Sequence, residues 1–73
     1  MSSNFANNIK HLRNEHKLTQ EQFGKIFGVT RQCVANWEGG TREPYVKDII
    51  VIAKYFNLDV IELYEKDLNN ASI

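Results

Sequence analysis

Apolar residues recur at helical spacing along almost the whole chain of 73 residues. Phe5, Ile9 and Leu12 follow a possible cap at Asn4, and their spacing predicts a first helix to about His16. No segment alternates between apolar and polar residues for long enough to indicate a strand. The pattern therefore predicts an all-α fold.

A second helix is predicted from Gln20 to Phe27. Its start is marked by a capping box, in which Thr19 is the cap and Gln22 is the partner three residues later. Gly28 can adopt the left-handed conformation that ends a helix. With only about two turns, this helix depends on packing against the rest of the fold.

A third helix is predicted from Arg31 to about Glu38, with Thr30 as its cap. Gly39 and Gly40 then end it. Only residues 28–30 separate it from the second helix. A turn this short, with Gly at its start, is typical of the helix-turn-helix unit.

Pro44 is suited to the first turn of a fourth helix that continues to Phe56, where Asn57 replaces Gly as the C-cap. A fifth helix is predicted from Asp59 to about Leu68. The length suits a single small domain. We thus predict one five-helix domain over residues 1–73, with its motif core at 18–63 and a C-terminal helix and short tail at 59–73.

Composition excludes several classes of protein. The 42% of hydrophobic residues and the single Pro match a folded domain rather than a disordered chain. The longest apolar run, residues 49–53, is far shorter than the roughly 18 residues of a membrane helix, and residues 1–4 carry no secretory signal. Cys33 is alone, which excludes an intrachain disulfide and agrees with a reducing compartment. We expect a cytoplasmic protein without a membrane partner.

The charges cancel overall but are distributed unevenly. Residues 1–42 hold six basic and three acidic residues, a net charge of +3, whereas residues 43–73 have a net charge of −3. This asymmetry is compatible with a basic surface for nucleic acid and an acidic end turned away. The alternative is a chance distribution in a small protein.

The third predicted helix has two different faces. Val34 and Trp37 are expected to point inward, and the side chains on the opposite side are Arg31, Gln32, Ala35 and Asn36. Arg can bond guanine O6 and N7, Gln or Asn can bond adenine N6 and N7, and a small Ala can touch a thymine methyl. This face is a candidate for reading bases in the major groove, and the alternative is an ordinary solvent-exposed face.

The starts of the second and fourth predicted helices are candidate phosphate sites. Gln20 begins the second helix, and Tyr45 lies at the start of the fourth, just after Thr41 and Arg42. Backbone N–H groups and the helix dipole favour an anion at such positions. These groups could hold DNA phosphates and set the angle of the third helix. The alternative is plain helix capping.

Several ordered motifs span residues 18–63. They are Thr19-Gln20-Glu21-Gln22-Phe23, Gly28-Val29-Thr30-Arg31-Gln32, Trp37-Glu38-Gly39 with Pro44 five residues later, Ile52-Ala53-Lys54, Leu58 and Leu63. Together they resemble the helix-turn-helix domain of the lambda repressor and Cro type, an XRE-like family of DNA-binding regulators. The resemblance implies a five-helix fold that binds double-stranded DNA.

The resemblance also implies roles for individual residues. The positions of Arg31, Gln32 and Asn36 meet base edges in that family, and Gln20 binds phosphate and contacts the first residue of the third helix. Gly39, Thr41 and Arg42 lie along the DNA backbone, and we add Thr30 and Tyr45 to this phosphate set.

Three residues depart from the family pattern. Gly24 replaces a frequent Ala, which costs the helix about 0.5–1 kcal/mol but admits closer packing of the third helix. Gly40 makes the following loop more flexible and weakens the case for phosphate contacts there. Cys33 replaces a frequent Ser, and a thiol near a helix N-terminus could act in redox sensing. The alternative is a small packed or half-exposed Cys.

The sequence shows no recognisable constellation for catalysis or metal binding. His11 and His16 are five residues apart, which does not fit the spacing of a helical zinc site. No Ser-His-Asp or Cys-His arrangement and no Gly-rich phosphate loop is present. We therefore expect no enzymatic activity, no metal and no cofactor.

We expect the C-terminal helix to carry more apolar side chains than one core can cover, and Ile50, Val51 and Tyr55 add to the excess. The candidates for a dimer interface are Val60, Ile61, Tyr64 and Leu68. Regulators of the resembled type pair through this end, which places two third helices about one DNA turn apart. The alternative is that these side chains close the core.

The sequence thus favours a small repressor that acts as a homodimer on a near-palindromic operator and controls access to a promoter. Its regulation would come from concentration, dimerisation or a second protein. The alternative is a protein-interaction module with the same fold, such as an antitoxin or anti-repressor. The neutral net charge and the apolar surplus favour that alternative, whereas Arg31, Gln32 and Asn36 on an outward face disfavour it.

Overall fold

Local helix signals determine most of the architecture. The computed structural model of the protein describes residues 4–68. Within that range the chain forms five α-helices and no strand: α1 (Phe5–Glu15), α2 (Gln20–Phe27), α3 (Arg31–Gly39), α4 (Val46–Tyr55) and α5 (Val60–Glu65). The predicted five-helix, all-α fold is confirmed. The predicted tail beyond residue 68 lies outside the described residues.

The starts of α2 and α3 follow the predicted caps. Thr19 Oγ1 accepts the N–H of Gln22 at 3.0 Å, and the N–H of Thr19 donates to Gln22 Oε1 at 2.8 Å. Thr30 Oγ1 accepts the N–H of Cys33 at 3.1 Å. These bonds satisfy N–H groups that have no partner inside the helix, so both helices begin at the predicted residues.

The ends of α2, α3 and α4 and the turn after α1 use left-handed backbone, with a φ of 76° at Gly40 after α3. Gly28 is the C-cap of α2 with a φ of 71°, as predicted. The C-cap of α4 is Phe56 instead of the predicted Asn57, which follows it with a φ of 57°.

Lys17, in the turn after α1, also has a φ of 57°. The sequence did not signal this conformation, because Lys rarely adopts it. The N–H of Leu18 donates to Arg13 O at 2.9 Å and holds this turn.

The predicted start of α4 was wrong. The helix begins at Val46 with Tyr45 as its N-cap, so Pro44 precedes the cap instead of lying in the first turn. The N–H of Tyr45 donates to Asp48 Oδ2 at 3.3 Å. This bond satisfies the cap and places the first helical turn two residues after Pro44.

The end of α5 was also predicted too late. The helix stops at Glu65, and Leu68 lies outside it. Asn4 Nδ2 donates to Glu65 O at 2.7 Å, and Asn8 Nδ2 donates to Leu63 O at 2.7 Å. Asn4 therefore acts on the distant end of α5 rather than capping α1 with its side chain.

The core is formed where the apolar faces of the helices meet. Its buried members are Phe5, Ile9, Leu12, Phe23, Cys33, Val34, Trp37, Ile49, Ile52, Ala53 and Leu63. Trp37 packs edge to face against Phe5, with ring centroids 5.8 Å apart. This contact fixes the inner face of α3 against α1 and leaves the opposite face of α3 outside.

Gly24 brings α2 close to the turn that precedes α3. A Cβ atom at this position would lie 2.6 Å from Val29 O and 3.3 Å from Thr30 O. Both neighbours are main-chain atoms, which cannot move aside as the end of a flexible side chain can. The close approach explains why Gly stands in a helix where Ala has the higher propensity.

We expect Gly24→Ala to lower the free energy of unfolding by about 1–3 kcal/mol, because the clash outweighs a propensity gain of about 1 kcal/mol. Gly39→Ala is the matched control, since Gly39 is also helical and a Cβ there meets nothing within 4 Å. It should stabilise the protein by up to about 1 kcal/mol. Urea denaturation measures both, and a stabilised Gly24→Ala variant would contradict the close approach.

Candidate nucleic-acid interface

The outer face of α3 carries the four candidate base-reading side chains. Arg31 and Gln32 are exposed, and Ala35 and Asn36 are half-buried. On the inner face, Val34 is fully buried and Trp37 is 2% exposed, as predicted. The structure therefore brings the four polar or small positions together on a surface whose opposite side is held in the core.

Two of these side chains bond each other. Gln32 Nε2 donates to Asn36 Oδ1 at 3.1 Å, across one turn of α3. The main-chain carbonyl of Asn36 accepts two hydrogen bonds from Thr41. One comes from the main-chain N–H at 3.0 Å, and the other comes from the side-chain hydroxyl at 3.3 Å. Asn36 thereby joins the outer face of α3 to the loop of residues 40–45.

The six candidate phosphate residues lie at helix starts, at the end of α3 and in that loop. Gln20 begins α2, Thr30 caps α3, Tyr45 is the N-cap of α4, and Gly39, Thr41 and Arg42 are at or just after the end of α3. All are exposed except Gln20, which is half-buried. Arg42 is the cationic side chain of this set.

An ion pair that the sequence pattern did not predict joins α1 to the end of α3. Arg13 Nε lies 2.6 Å from Glu38 Oε2, and Arg13 Nη2 donates to Glu38 Oε1 at 3.0 Å. Arg13 Nη1 donates to Leu18 O at 2.9 Å, and Gln20 Nε2 donates to Glu38 Oε1 at 3.2 Å. This network joins α1, the start of α2 and the end of α3. Arg13 and Glu38 are 25 residues apart, so no local spacing signals the pair.

The ion pair is partly buried and bidentate. The side chains of Arg13 and Glu38 are 13% and 6% exposed. The hydrogen bonds that Arg13 donates to Glu38 raise the pKa of Arg13, and the negative charge of Glu38 adds to this effect, although burial opposes it. The guanidinium is therefore charged at neutral pH, and the bidentate contact sets the position of α3.

Cys33, His11 and His16 each contact neighbouring residues of the fold. Cys33 is 8% exposed and belongs to the core, which agrees with the packed-cysteine alternative. His11 Nε2 lies 3.8 Å from Glu15 Oε1, and the ring of His16 lies 4.9 Å from that of Phe56. Within residues 4–68 no three His, Cys, Asp or Glu side chains cluster in a way that could hold a metal ion.

An apolar groove of about 290 Å³ lies between α4 and α5. We call it the α4–α5 groove, and its lining includes Pro44, Val46, Val60, Ile61, Tyr64 and Glu65. Val60 and Ile61 are 40% and 65% exposed. Tyr64 and Leu68 are instead partly buried against the core. The four candidate dimer residues therefore divide into two exposed and two packed side chains.

Comparison with known proteins identifies the family. The model of the helix-turn-helix family matches residues 9–63. The chain belongs to this family. The match covers α2, the turn, α3 and α4 completely and α1 and α5 in part, so the XRE-type resemblance seen in the sequence is confirmed. No helix among residues 4–68 is long and apolar enough to cross a membrane.

Relatives of this helix-turn-helix chain differ in length. An uncharacterized HTH-type transcriptional regulator of Methanocaldococcus jannaschii is 40% identical over 63 residues, which are 84% of this chain and 96% of the relative. The antitoxin PezA of Streptococcus pneumoniae serotype 4 is 35% identical over 60 residues, which are 82% of this chain. The matched part is only 38% of PezA, so the chain spans little more than a third of that relative.

A solved structure confirms the fold. The P22 c2 repressor protein, solved in complex with a synthetic operator, matches 86% of this chain and 96% of its own with a TM-score of 0.78 at 24% identity. The fold is thus that of lambda-repressor-like regulators. The regulators in this family are a DNA-binding class of protein and not a class of enzymes.

Proposed function

We propose that this chain is a sequence-specific repressor that binds double-stranded DNA as a homodimer on a near-palindromic operator. One observation carries the proposal: Arg31, Gln32, Ala35 and Asn36 share the outer face of α3 while Val34 and Trp37 hold the inner face in the core. The family membership and the operator bound by the P22 c2 repressor support it.

In the proposed complex, the outer face of α3 lies in the major groove. Arg31 bonds guanine O6 and N7, the amides of Gln32 and Asn36 face adenine, and Ala35 contacts a thymine methyl. The Arg13–Glu38 pair resists a rotation of α3 that would misplace these groups. Base recognition therefore depends on a surface whose orientation is set from inside the fold.

In the proposed complex, DNA phosphates contact residues next to the outer face of α3, whereas that face itself contacts bases. N–H groups at the starts of α2 and α4, with Gln20 and Tyr45, face the DNA backbone on either side of the groove. Thr30, Gly39, Thr41 and Arg42 complete this set. Such contacts position a protein on DNA without reading sequence. The bound dimer would then block a promoter sterically in the cytoplasm, under control of its own concentration or of a second protein.

Selection from a random pool of duplexes tests the proposal. The purified chain is incubated with the pool at about 0.15 M salt, near physiological ionic strength, and bound duplexes are sequenced. We expect an enriched inverted repeat with half-sites about 10 bp apart. Weak binding that depends strongly on salt and enriches no sequence would contradict sequence-specific regulation.

Replacing Arg42 should weaken binding to all duplexes alike. Arg42 is exposed in the loop after α3, and loss of one phosphate contact flattens the dependence of log K on log salt concentration by about one unit. Lys54→Ala is the matched control, because Lys54 is an exposed cation on α4, outside the proposed interface. Titrations from low to high salt measure the slope. An unchanged slope in Arg42→Ala would remove this residue from the phosphate set.

The homodimer is tested at the α4–α5 groove. Ile61→Glu places a charge on a 65% exposed apolar position of this groove. We expect self-association to be lost and affinity for the full operator to fall at least about tenfold, because an unpaired charge is costly in an apolar interface. Analytical ultracentrifugation measures the mass. Val51→Glu is the control, since Val51 is 52% exposed on α4 but does not line the groove. Normal association of Ile61→Glu would place the dimer contact elsewhere.

A second candidate function is the binding of a partner protein. The exposed apolar side chains of α4 and α5 favour it, and the similarity to the antitoxin PezA agrees with it. In this hypothesis the partner covers the α4–α5 groove, and DNA binding is secondary or absent. A selection that enriches no sequence, followed by capture of a partner that Ile61→Glu fails to bind, would favour this function over the first.

A further inference from the structure

The bond between Gln32 and Asn36 joins two base-reading candidates into one structural unit. Gln32 is exposed, and its Nε2 donates to Asn36 Oδ1 at 3.1 Å. Asn36 is half-buried, and its main-chain carbonyl accepts two hydrogen bonds from Thr41. The backbone of Asn36 is therefore held by the loop after α3, and the shorter, half-buried side chain of Asn36 restrains the longer and more exposed side chain of Gln32.

The chemistry of the amide decides what the restrained side chain can recognise. A primary amide carries one hydrogen on the same side as its oxygen and one on the far side. A bidentate contact with adenine uses the oxygen, which accepts from N6–H, and the near hydrogen, which donates to N7. The far hydrogen is not needed, so a bond to Asn36 through that hydrogen is compatible with the bidentate contact to adenine.

The same bond opposes recognition of guanine. Guanine presents two acceptors, N7 and O6, in the major groove. An unrestrained Gln can offer both hydrogens of its amide nitrogen to such a surface. When one hydrogen is held by Asn36, the outward pair of groups is one donor and one acceptor. That pair of groups matches adenine. At guanine it places the Gln32 oxygen, which is an acceptor, opposite another acceptor, and no hydrogen bond can form between them.

We propose that Gln32 reads adenine in one A·T pair and that Asn36 is the positioning residue that makes this reading selective against guanine. The inference rests on the proposed function, because it requires α3 to lie in the major groove. It changes the role of Asn36 in that function: instead of contacting an adenine of its own, Asn36 positions Gln32 for one base pair. Holding the amide in place before binding also reduces the side-chain entropy that is lost in the complex.

The test uses the operator selected by the unmodified full chain. Affinities are measured for that operator and for each single base-pair replacement in one half-site. Gln32→Ala should lose the adenine preference at one position, by about tenfold. Asn36→Ala should reduce the ratio of adenine to guanine affinity at the same position. The double variant should be no less selective there than Gln32→Ala alone.

Asn36→Asp separates positioning from a general effect on binding. The carboxylate of Asp still accepts the Gln32 hydrogen bond, so the preference for adenine over guanine should be retained. Affinity for all duplexes should fall, because a negative charge is added to a surface that lies against the polyanionic DNA. Arg31→Ala is the comparison on the same face and should change the preference at a different base pair. Thermal unfolding verifies that each variant is folded.

The outcomes distinguish the two levels of the proposal. If the unmodified chain selects no sequence, the proposed function fails and this inference fails with it. If the chain selects an operator but Asn36→Ala keeps the full preference for adenine over guanine, only the paired reading is overturned. Effects of Gln32→Ala and Asn36→Ala at two different base pairs, or loss of the preference in Asn36→Asp, would overturn it equally.

Discussion

Replacing Asn8 by Ala is expected to lower the free energy of unfolding by about 3 kcal/mol, a large fraction of the stability of a small domain. Asn8 is fully buried. Its Nδ2 donates to Leu63 O at 2.7 Å and to Lys66 O at 2.5 Å, and its Oδ1 accepts the N–H of Leu68 at 3.0 Å. Truncation to Ala removes the side-chain amide of Asn8, so the main-chain groups at and just after the end of α5 lose their hydrogen-bond partner and a cavity is left beside them.

Urea denaturation with a matched neighbour measures this effect. Asn7→Ala is the control, because Asn7 precedes Asn8 in α1 but is exposed, and its replacement should change stability by less than about 0.5 kcal/mol. Asn8→Asp keeps the size of the side chain but cannot donate to carbonyl oxygens when ionised. It should destabilise at least as much as Asn8→Ala. An Asn8→Ala variant as stable as the Asn7 control would refute the role of Asn8 in holding α5.

Replacing Arg13 by Ala should have a comparable effect, again about 3 kcal/mol of unfolding free energy. The change leaves the carboxylate of Glu38, whose side chain is 6% exposed, without its cation. It also removes the donor to Leu18 O at the turn before α2. A buried charge without a partner is strongly destabilising, whereas removal of both charges costs much less.

A double-mutant cycle with Glu38→Ala isolates the interaction between the two side chains. The double variant should be less destabilised than the sum of the single variants. Glu15→Ala is the control, because the Glu15 side chain is 59% exposed and its contact with His11 should contribute little. Additive losses in the cycle would contradict a strong ion pair.

The pH dependence of the Arg13–Glu38 pair follows from the raised pKa of Arg13. A cation whose pKa is higher in the folded state stabilises that state below its unfolded pKa, and this contribution is lost as the pH rises through the folded value. The ordinary pKa of an arginine is already far above neutrality, and Glu38 raises it further. We therefore expect the stability contributed by the charge of Arg13 to be fully present near neutral pH and to be lost only in strongly alkaline solution.

The predicted elements differ in how local their determinants are. The starts of α2 and α3 were predicted to the residue, because each cap bonds an N–H only three residues away. The start of α4 was misplaced because Pro44 suits a first turn as well as the position before a cap. The end of α5 was misplaced because Asn8, 55 residues from Leu63, bonds the carbonyls there.

The candidate interface likewise combines features that depend on local sequence with features that depend on packing between helices. Helical periodicity alone predicted that Val34 and Trp37 point inward and that Arg31 and Gln32 point outward, and the structure agrees. Periodicity could not show that Gln32 bonds Asn36, because two amides at this spacing can equally face solvent. The exposed fraction of each candidate dimer residue also depended on how α5 packs.

The sequence by itself determined five helices, their order, the short turn between α2 and α3, and the polar face of α3. These features depend on backbone conformation and on contacts within about four residues, which a linear pattern records. Only the tertiary structure decided the Arg13–Glu38 pair, the buried position of Asn8 and the groove beside Val60 and Ile61. Those features arise where the faces of different helices meet, and the angle of that meeting is set by the packing of the whole core.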